Sequence, residues 1–323
     1  MTTAASDLSV VVTAREKQQA ARRTRARNRN RISVGILWGM GGFLVIVFAY
    51  ILIYSLQQGL PAITTLDFFT SANPDVGIAP QIFNTFYMLI LSMVFMIPIG
   101  FGAAIYMVEY AKQGRFNSIL RFATETLTST PTIIFGLFGF LILSAKFTGQ
   151  YHAFQLGPIV FDGFGFGYSR LSGAITLALV NLPWMLRTME DALRSVPRDL
   201  REASLALGAT RYRTVTRTVL PAAIPGIVTG ILIVSGRVIG ESAALLFTAS
   251  QSASYNNWYS LDPLKPGPTL ALHAYVLFTT GVTANAQRLR LGTALTLIIL
   301  VLIFNLVARC AGTFINNRFT GAK

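Results

Sequence analysis

Six apolar segments, each long enough to cross a lipid bilayer, constrain this chain more than any other feature of its sequence. A membrane-spanning helix needs about 20 predominantly apolar residues. Of the 323 residues, 53% are apolar and only 12% are charged, and the long apolar runs are residues 34–56, 85–110, 119–145, 171–189, 221–248 and 291–314. Backbone polar groups inside a bilayer must bond within their own segment. We therefore expect an all-α polytopic membrane protein with six transmembrane helices.

Basic residues lie beside two of these segments and indicate the orientation of the chain, whose net charge is +14. Eight lysine and arginine residues precede the first segment, and six arginines lie in the loop 190–220. Because cytoplasmic loops carry an excess of lysine and arginine, we expect both termini and this loop in the cytoplasm. Residues 1–31 lack an apolar periodicity, which predicts a disordered basic arm that faces lipid rather than nucleic acid.

Several kinds of functional site are missing from the sequence. There is no G-x-x-x-x-G-K-[ST] motif, so the chain has no P-loop for ATP. No Ser/His/Asp, Cys/His or paired-carboxylate arrangement stands out as catalytic. One cysteine, Cys310, and two histidines, His152 and His273, do not make a metal site. We expect no enzymatic activity, no metal and no cofactor in this chain itself.

A polar segment, residues 197–221, separates the fourth and fifth apolar segments. Pro197 suits the first turn of a helix, and Gly208 suits the left-handed residue that ends one. Between them, apolar residues recur at three- and four-residue spacing: Leu200, Ala203, Ala206 and Leu207. The pattern predicts a two-turn amphipathic helix that can fill a groove on a partner protein.

Two charged residues, Arg237 and Glu241, interrupt the fifth apolar segment. Burying a charge in a bilayer is costly, so such residues are functional candidates by default. Their i, i+4 spacing predicts that they share a helix face and can pair. The guanidinium of an arginine suits an oxyanion, although an internal ion pair that only fixes packing is the alternative. Glycines at 226, 230, 236 and 240 form two G-x-x-x-G pairs that allow close helix contact.

Three further polar residues are weaker candidates. Arg187 lies near the inner end of the fourth segment, where topology alone also explains it. Glu125 lies inside the third segment and either pairs with a basic residue or lines an inner vestibule. Glu109 ends the second segment, and we expect its carboxylate to be solvated.

The polar segment resembles the cytoplasmic loop of ABC importer permeases, E-A-A-x3-G-x9-I-x-L-P. Glu202, Ala203 and Gly208 match this pattern, whereas Ser204 replaces the second Ala and Thr218 replaces the Ile. The longer string 187–249 resembles the phosphate importer permeases of the Pst system, and within them the PstA-type subunit more than the PstC-type. Further matches lie in residues 84–110 and 130–139, and the resemblance covers about residues 80–318.

The resemblance implies a MetI-like ABC importer permease with a cytoplasmic coupling helix in a bacterial inner membrane. Residues 1–31 would be the arm, 32–80 the first transmembrane helix and outer loop, and 81–318 the permease domain. It implies substrate-pathway roles for Arg237 and Glu241, and Arg187 and Glu125 are further pathway candidates because of their positions in the apolar segments. The residues that would couple to the ATPase are Leu200, Glu202, Ala203, Ser204, Leu207 and Gly208.

The partners implied by the same resemblance are a second, PstC-like permease, two PstB-like ATPase subunits and a PstS-like phosphate-binding protein. The ATPase would bind ATP and Mg²⁺, membrane lipid would surround the chain, and no nucleic acid would bind. Three other functions remain open on the sequence: a permease for molybdate, sulfate or another anion, a membrane signalling or scaffold subunit that transports nothing, and a passive channel.

Overall fold

A computed structural model describes residues 2–73, 75–111, 114–146, 154–156, 159–252, 257–280 and 286–320, and it describes their side chains outside 2–29, 116, 154–161 and 315–320. The chain divides into two units, Met1–Gln57 and Gln58–Lys323.

The first helix, α1, extends over Thr2–Ile63. Its part from Asn30 to Ile63 is long and apolar enough to cross a membrane and contains the predicted segment 34–56. The backbone is helical through the basic arm as well, where the missing apolar periodicity led us to expect disorder. Alanine, arginine and glutamine form helices readily without an apolar stripe, which accounts for the difference. Disorder of residues 1–31 in solution stays a prediction.

Long helices also form from the second, fifth and sixth apolar segments. They are α3 (Ala79–Ile105), α9 (Leu220–Gly240) and α11 (Ala286–Thr320). The fourth segment lies in α6 (Arg170–Arg194), which has charged residues in its last turns. The all-α class is confirmed; the described strands are a hairpin in which Phe154–Leu156 pairs antiparallel with Ile159–Phe161.

The third apolar segment is not the continuous span that the sequence predicted. Helix α4 (Arg115–Ser129) and helix α5 (Thr132–Gly139) meet at an angle of 97°. Thr130 and Pro131 between them are extended, because the proline ring disfavours helical geometry in the residue before it. After α5, the π-helical turn Phe140–Ser144 continues the segment. The segment is therefore a broken pair of helices.

The fifth span also ends earlier than predicted, at Gly240 rather than at residue 248. Glu241 is extended, with φ −76° and ψ 128°. The chain then passes close to α5, where a Cβ on Gly136 would lie 2.8 Å from the carbonyl oxygen of Ala244. The chain leaves the helical path at Glu241, which therefore does not follow the register of α9.

The core of the second unit lies where α3 packs against α6 and α9. Its fully buried side chains include Met88, Met96, Leu177, Met185, Met189 and Leu193. Lipid is as apolar as these side chains, so close packing rather than water exclusion holds the helices together. Gly226 and Gly230 face Ala192 and Thr188 of α6 with no room for a side chain, which confirms close contact at the first G-x-x-x-G pair. In the second pair, a Cβ on Gly236 would lie 3.2 Å from Oδ1 of Asn305 in α11, whereas Gly240 is open.

The polar segment forms two short helices at one end of the bundle, which we call the coupling end. Helix α7 spans Arg198–Ala206 and α8 spans Arg211–Thr214, and a π-helical turn, Val215–Val219, leads into α9. Gly208 has a φ of +81°, which glycine adopts without steric cost. The predicted two-turn helix and its glycine end are confirmed.

At the opposite end of the bundle, residues 257–268 are fixed by Arg170, which is 1% exposed. Its guanidinium lies over the rings of Phe83 and Tyr87, 5.3 Å from each centroid, and donates to the carbonyl oxygens of Ser260 and Trp258. Helix α10 (Leu270–Thr280) follows this loop. The first turns of α10 are buried in the bundle.

Candidate transport pathway and coupling surface

Arg237 lies in the last turn of α9 and is held by two residues of α6. Its Nε donates a 3.0 Å hydrogen bond to Oδ1 of Asn181, and its guanidinium lies 4.8 Å from the ring centroid of Trp184. Asn181 is fully buried, and its amide is fixed by donation to the carbonyl oxygen of Leu177. The two Nη atoms of Arg237 have no partner among the described residues, and the side chain is exposed. Four N–H groups therefore remain for a ligand.

Glu241 does not pair with Arg237, and the predicted i, i+4 ion pair is wrong. The ion pairs Arg121–Glu190, Arg194–Glu190 and Arg201–Glu109 involve neither residue, and no hydrogen bond or ion pair joins Glu241 to Arg237 in the part of the chain that the structure describes. The reason is the end of α9 at Gly240, since helical spacing places two residues on one face only while the helix continues. Glu241 is half-buried just beyond the helix that carries Arg237.

One face of α6 connects Arg237 to the coupling end of the bundle. Asn181, Trp184, Arg187 and Asp191 follow one another at spacings of three, three and four residues, which places them on one face. The last three are exposed, although the helix is otherwise largely buried. Over this stretch α6 rises ~15 Å, about half the thickness of a hydrocarbon core. A polar path along the helix begins at Arg237 and passes Arg187.

Towards the coupling end, this path opens into a cavity of about 310 Å³ between α4 and α6, which we call the α4–α6 cavity. Glu125 and Arg187, far apart in the sequence, both line it. Glu190 is 8% exposed and accepts hydrogen bonds from Arg121 (3.2 Å) and Arg194 (3.4 Å). The structure thus brings two of the predicted pathway residues into one cavity, in which charges of both signs face each other.

The coupling helix α7 presents an apolar surface with no partner among the described residues. Leu200 is 44% exposed and Leu207 is 90% exposed, and Ala203 lies between them on the helix. Glu202 and Gly208 are exposed too. Ser204 differs from the other predicted coupling residues, because its Oγ lies 3.0 Å from Oγ1 of Thr214. Ser204 therefore ties α7 to the end of α8.

Glu109 is buried, and the prediction that it is solvated is wrong. The residue lies in the π-helical turn Tyr106–Tyr110 at the end of α3 and is 7% exposed. Its Oε1 accepts hydrogen bonds from Nη2 (2.9 Å) and Nε (3.2 Å) of Arg201 on the coupling helix. Arg201, which is 92 residues away in the sequence, therefore shields the carboxylate of Glu109 from solvent.

Residues 96–321 match the family of binding-protein-dependent transport system inner membrane components, which is well over half of the chain. The chain belongs to this family of permeases. A probable ABC transporter permease of Bacillus subtilis, YqgI, is 39% identical over 87% of this permease and 92% of its own length. The phosphate transport system permease protein PstA of Yersinia pestis is 30% identical over 93% and 94%. PstA 1 of Mycobacterium tuberculosis is 32% identical over 87% of each chain.

A solved structure supports the fold of this permease. The crystal structure of a bacterial alginate ABC transporter, in complex with an alginate pentasaccharide-bound periplasmic protein, contains a chain with a TM-score of 0.61 at 18% identity. The match covers 84% of this permease and 92% of that chain. The ABC permease fold of a multi-pass membrane protein and the resemblance to PstA-type permeases are therefore confirmed.

Sequence reasoning missed three residues that organise this permease. Asn181 and Trp184 position Arg237, and Arg170 fixes the loop at the opposite end. Polar residues inside apolar segments were the available signal, since a buried asparagine in a membrane helix needs a partner. The sequence could show that Asn181 is unusual but not which residue it contacts.

Proposed function

We propose that this chain is the transmembrane permease subunit of an ATP-driven importer that carries inorganic phosphate into the cytoplasm. The observation that carries the proposal is the exposed, half-satisfied guanidinium of Arg237 at the head of the polar face of α6. A planar guanidinium with free N–H groups binds phosphate oxygens in a bidentate way, and Trp184 and Asn181 keep it oriented. The similarity to PstA proteins favours phosphate among the oxyanions.

The polar face of α6 then gives the anion a route away from Arg237. Arg187 is the next cation along it, about two turns further on, and the α4–α6 cavity follows. Glu125, Glu190 and Asp191 line the same cavity and repel an anion, so phosphate does not stay bound to the arginines there. Glu241, half-buried just beyond the end of α9, is proposed as a second pathway residue.

The orientation proposed from the basic residues places the coupling end, and both termini, in the cytoplasm of a bacterial cell. Two ATPase subunits bind ATP and Mg²⁺, and one of them receives the exposed apolar face of α7 in a groove. A second permease subunit covers the exposed face of α6 and completes the pathway. An extracytoplasmic binding protein delivers phosphate at the opposite end, membrane lipid surrounds the bundle, and no nucleic acid is involved.

Uptake of radiolabelled phosphate tests the proposal in cells that lack other phosphate importers and express this chain with its partner subunits. Arg237→Gln should reduce uptake at least about tenfold while the complex still assembles. Arg115→Gln, which removes an exposed arginine from the start of α4, should leave uptake unchanged. Near-normal uptake in Arg237→Gln would reduce that residue to a packing role.

Competition and energy depletion separate the other functions. Excess molybdate or sulfate should leave phosphate uptake unchanged, and inhibition by either would indicate a different oxyanion. Uptake that persists after ATP depletion would indicate a channel. Absence of any uptake by an assembled wild-type complex would favour a scaffold subunit.

A further inference from the structure

The buried ion pair between Glu109 and Arg201 joins the coupling helix to the transmembrane bundle. The side chains of Glu109 and Arg201 are 8% and 19% exposed, in contrast to the exposed arginines around them on the same surface. Nη2 of Arg201 lies 2.9 Å from Oε1 of Glu109. A buried ion pair is seldom a net source of stability, because desolvation of both charges offsets their attraction. Its position therefore calls for a role other than stability.

Arg201 binds more than Glu109. Its Nη1 donates to the carbonyl oxygen of Val196 at 2.6 Å, and its Nη2 donates to that of Leu193 at 2.7 Å. Leu193 lies in the last turn of α6, whereas Glu109 ends α3 and Arg201 is in the middle of α7. One rigid guanidinium thus holds three segments together, and each of its three nitrogens is used.

The π-helical turn at the end of α3 contributes to this geometry. Its closing bond runs from the backbone N of Ala111 to the carbonyl oxygen of Tyr106, at 2.7 Å. A π turn contains one residue more than an α turn, so it changes the direction in which Glu109 points relative to the rest of α3. The turn presents the carboxylate to α7.

A second attachment of α7, a hydrogen bond between Ser204 and Thr214, leads towards α8 and α9. The Ser204–Thr214 contact joins two neutral hydroxyls and connects α7 to α8, and through the following π turn to α9. Charged hydrogen bonds therefore link α7 to the end of α3 and to the end of α6, whereas the side towards α9 is joined by this neutral contact and by packing against the π turn. The charged route leads from α7 to α3 and to α6, and α6 carries the polar face with Arg187.

We propose that Glu109 and Arg201 are positioning residues for transport, which make α3 and α6 follow the movement of the coupling helix when the ATPase binds ATP. The inference rests on the proposed function, since it needs a partner that moves α7. Loss of the pair uncouples the two events: the ATPase still docks on α7 and hydrolyses ATP, but the pathway helices no longer follow.

The test uses the complete complex, reconstituted in vesicles, with phosphate transported per ATP hydrolysed as the readout. Glu109→Gln and Arg201→Gln should each lower this ratio about tenfold while ATPase binding is retained. The double variant should be no worse than either single one, because residues that act as a unit are not additive. Arg115→Gln, an exposed arginine near the same end, is the matched control and should leave the ratio unchanged.

An unchanged ratio in Glu109→Gln would overturn the inference, as would a double variant whose loss equals the product of the single losses. Hydrogen exchange on the wild-type complex is a second test of the inference, and it does not depend on the folding of any variant. On trapping the ATP-bound state, residues 106–111 and 198–206 should change their protection together. A change confined to 198–206 would contradict the proposal.

The two proposals fail in different ways. If the wild-type complex takes up no phosphate, the proposed function is wrong. The exchange experiment uses nucleotide but no phosphate, so it still decides whether α3 follows α7.

Discussion

Arg237 of α9 donates through Nε to Asn181 of α6 and leaves its two Nη groups exposed. This bond fixes the plane of the guanidinium, which lies over the ring of Trp184. An arginine held at one nitrogen and free at the other two can bind an anion without reorganisation of the side chain, which reduces the entropic cost of binding.

The first prediction concerns this bond. Asn181→Leu keeps the volume of the side chain but removes the acceptor, and a hydrogen bond to a charged group contributes about 1.5–3 kcal/mol. Phosphate uptake should therefore fall at least about tenfold, with normal assembly of the complex. Combining it with Arg237→Gln should cause no further loss, because both changes act on one group. Unchanged uptake in Asn181→Leu would show that Asn181 does not orient Arg237.

The second prediction concerns the loop at the opposite end of the bundle. Arg170→Leu removes two charge-assisted hydrogen bonds to the carbonyl oxygens of Ser260 and Trp258, and the stacking on Phe83 and Tyr87. We expect a loss of about 3 kcal/mol in the free energy of unfolding. A lower melting temperature of the purified complex and faster hydrogen exchange in 257–268 would confirm it.

Arg170→Lys provides the control for that experiment. Lysine keeps the charge but not the planar fork that reaches two carbonyl groups, so its stability should lie between those of the wild type and Arg170→Leu. Equal exchange rates for residues 257–268 in all three proteins would contradict the assignment of Arg170 as the residue that fixes the loop.

Much of the fold could be predicted because a bilayer leaves a spanning backbone few alternatives. The apolar lengths alone located α3, α9 and α11. They could not show that the third segment turns by 97° at Thr130 and Pro131, since prolines are also tolerated inside membrane helices. The end of α9 at Gly240 was equally hidden, because the apolar segment continues to residue 248.

In the candidate site, too, features set by the local sequence could be predicted, whereas features set by contacts between distant residues could not. Arg237 could be singled out because a charge in an apolar segment is costly wherever the helix packs. Its partner Asn181 lies 56 residues away, and the arginine that covers Glu109 lies 92 residues away. Burial of Glu109 depends on that tertiary contact, so its position at the end of a segment indicated solvation instead.

The third prediction uses the contact between α9 and α6. A Cβ on Gly226 would lie 2.9 Å from Cβ of Ala192, and one on Gly230 would lie 3.0 Å from Thr188. Gly226→Leu should therefore destabilise the protein by about 1–3 kcal/mol through overpacking. Gly102 of α3 has no atom within 4 Å of its Cβ position, so Gly102→Ala should be neutral or stabilising by about 0.5 kcal/mol. Denaturation in detergent measures the free energy of unfolding of both variants. Equal losses of stability would show that α9 and α6 do not pack closely at Gly226.

The last prediction tests the surface of the coupling helix. Leu207 is 90% exposed at the end of α7 and touches nothing that holds the bundle together, so Leu207→Asp should leave the free energy of unfolding within about 0.5 kcal/mol of the wild type. A charge placed at the desolvated centre of an interface, where the few residues that dominate binding lie, costs more than about 1 kcal/mol of binding free energy. The ATPase should therefore bind the complex roughly tenfold more weakly, as measured by copurification at graded ATPase concentrations.

Leu66 is 80% exposed in α2 (Leu66–Thr70), and Leu66→Asp introduces the same change without touching the coupling surface. Normal ATPase binding by Leu207→Asp, or an equal loss in Leu66→Asp, would exclude the apolar face of α7 as the docking surface.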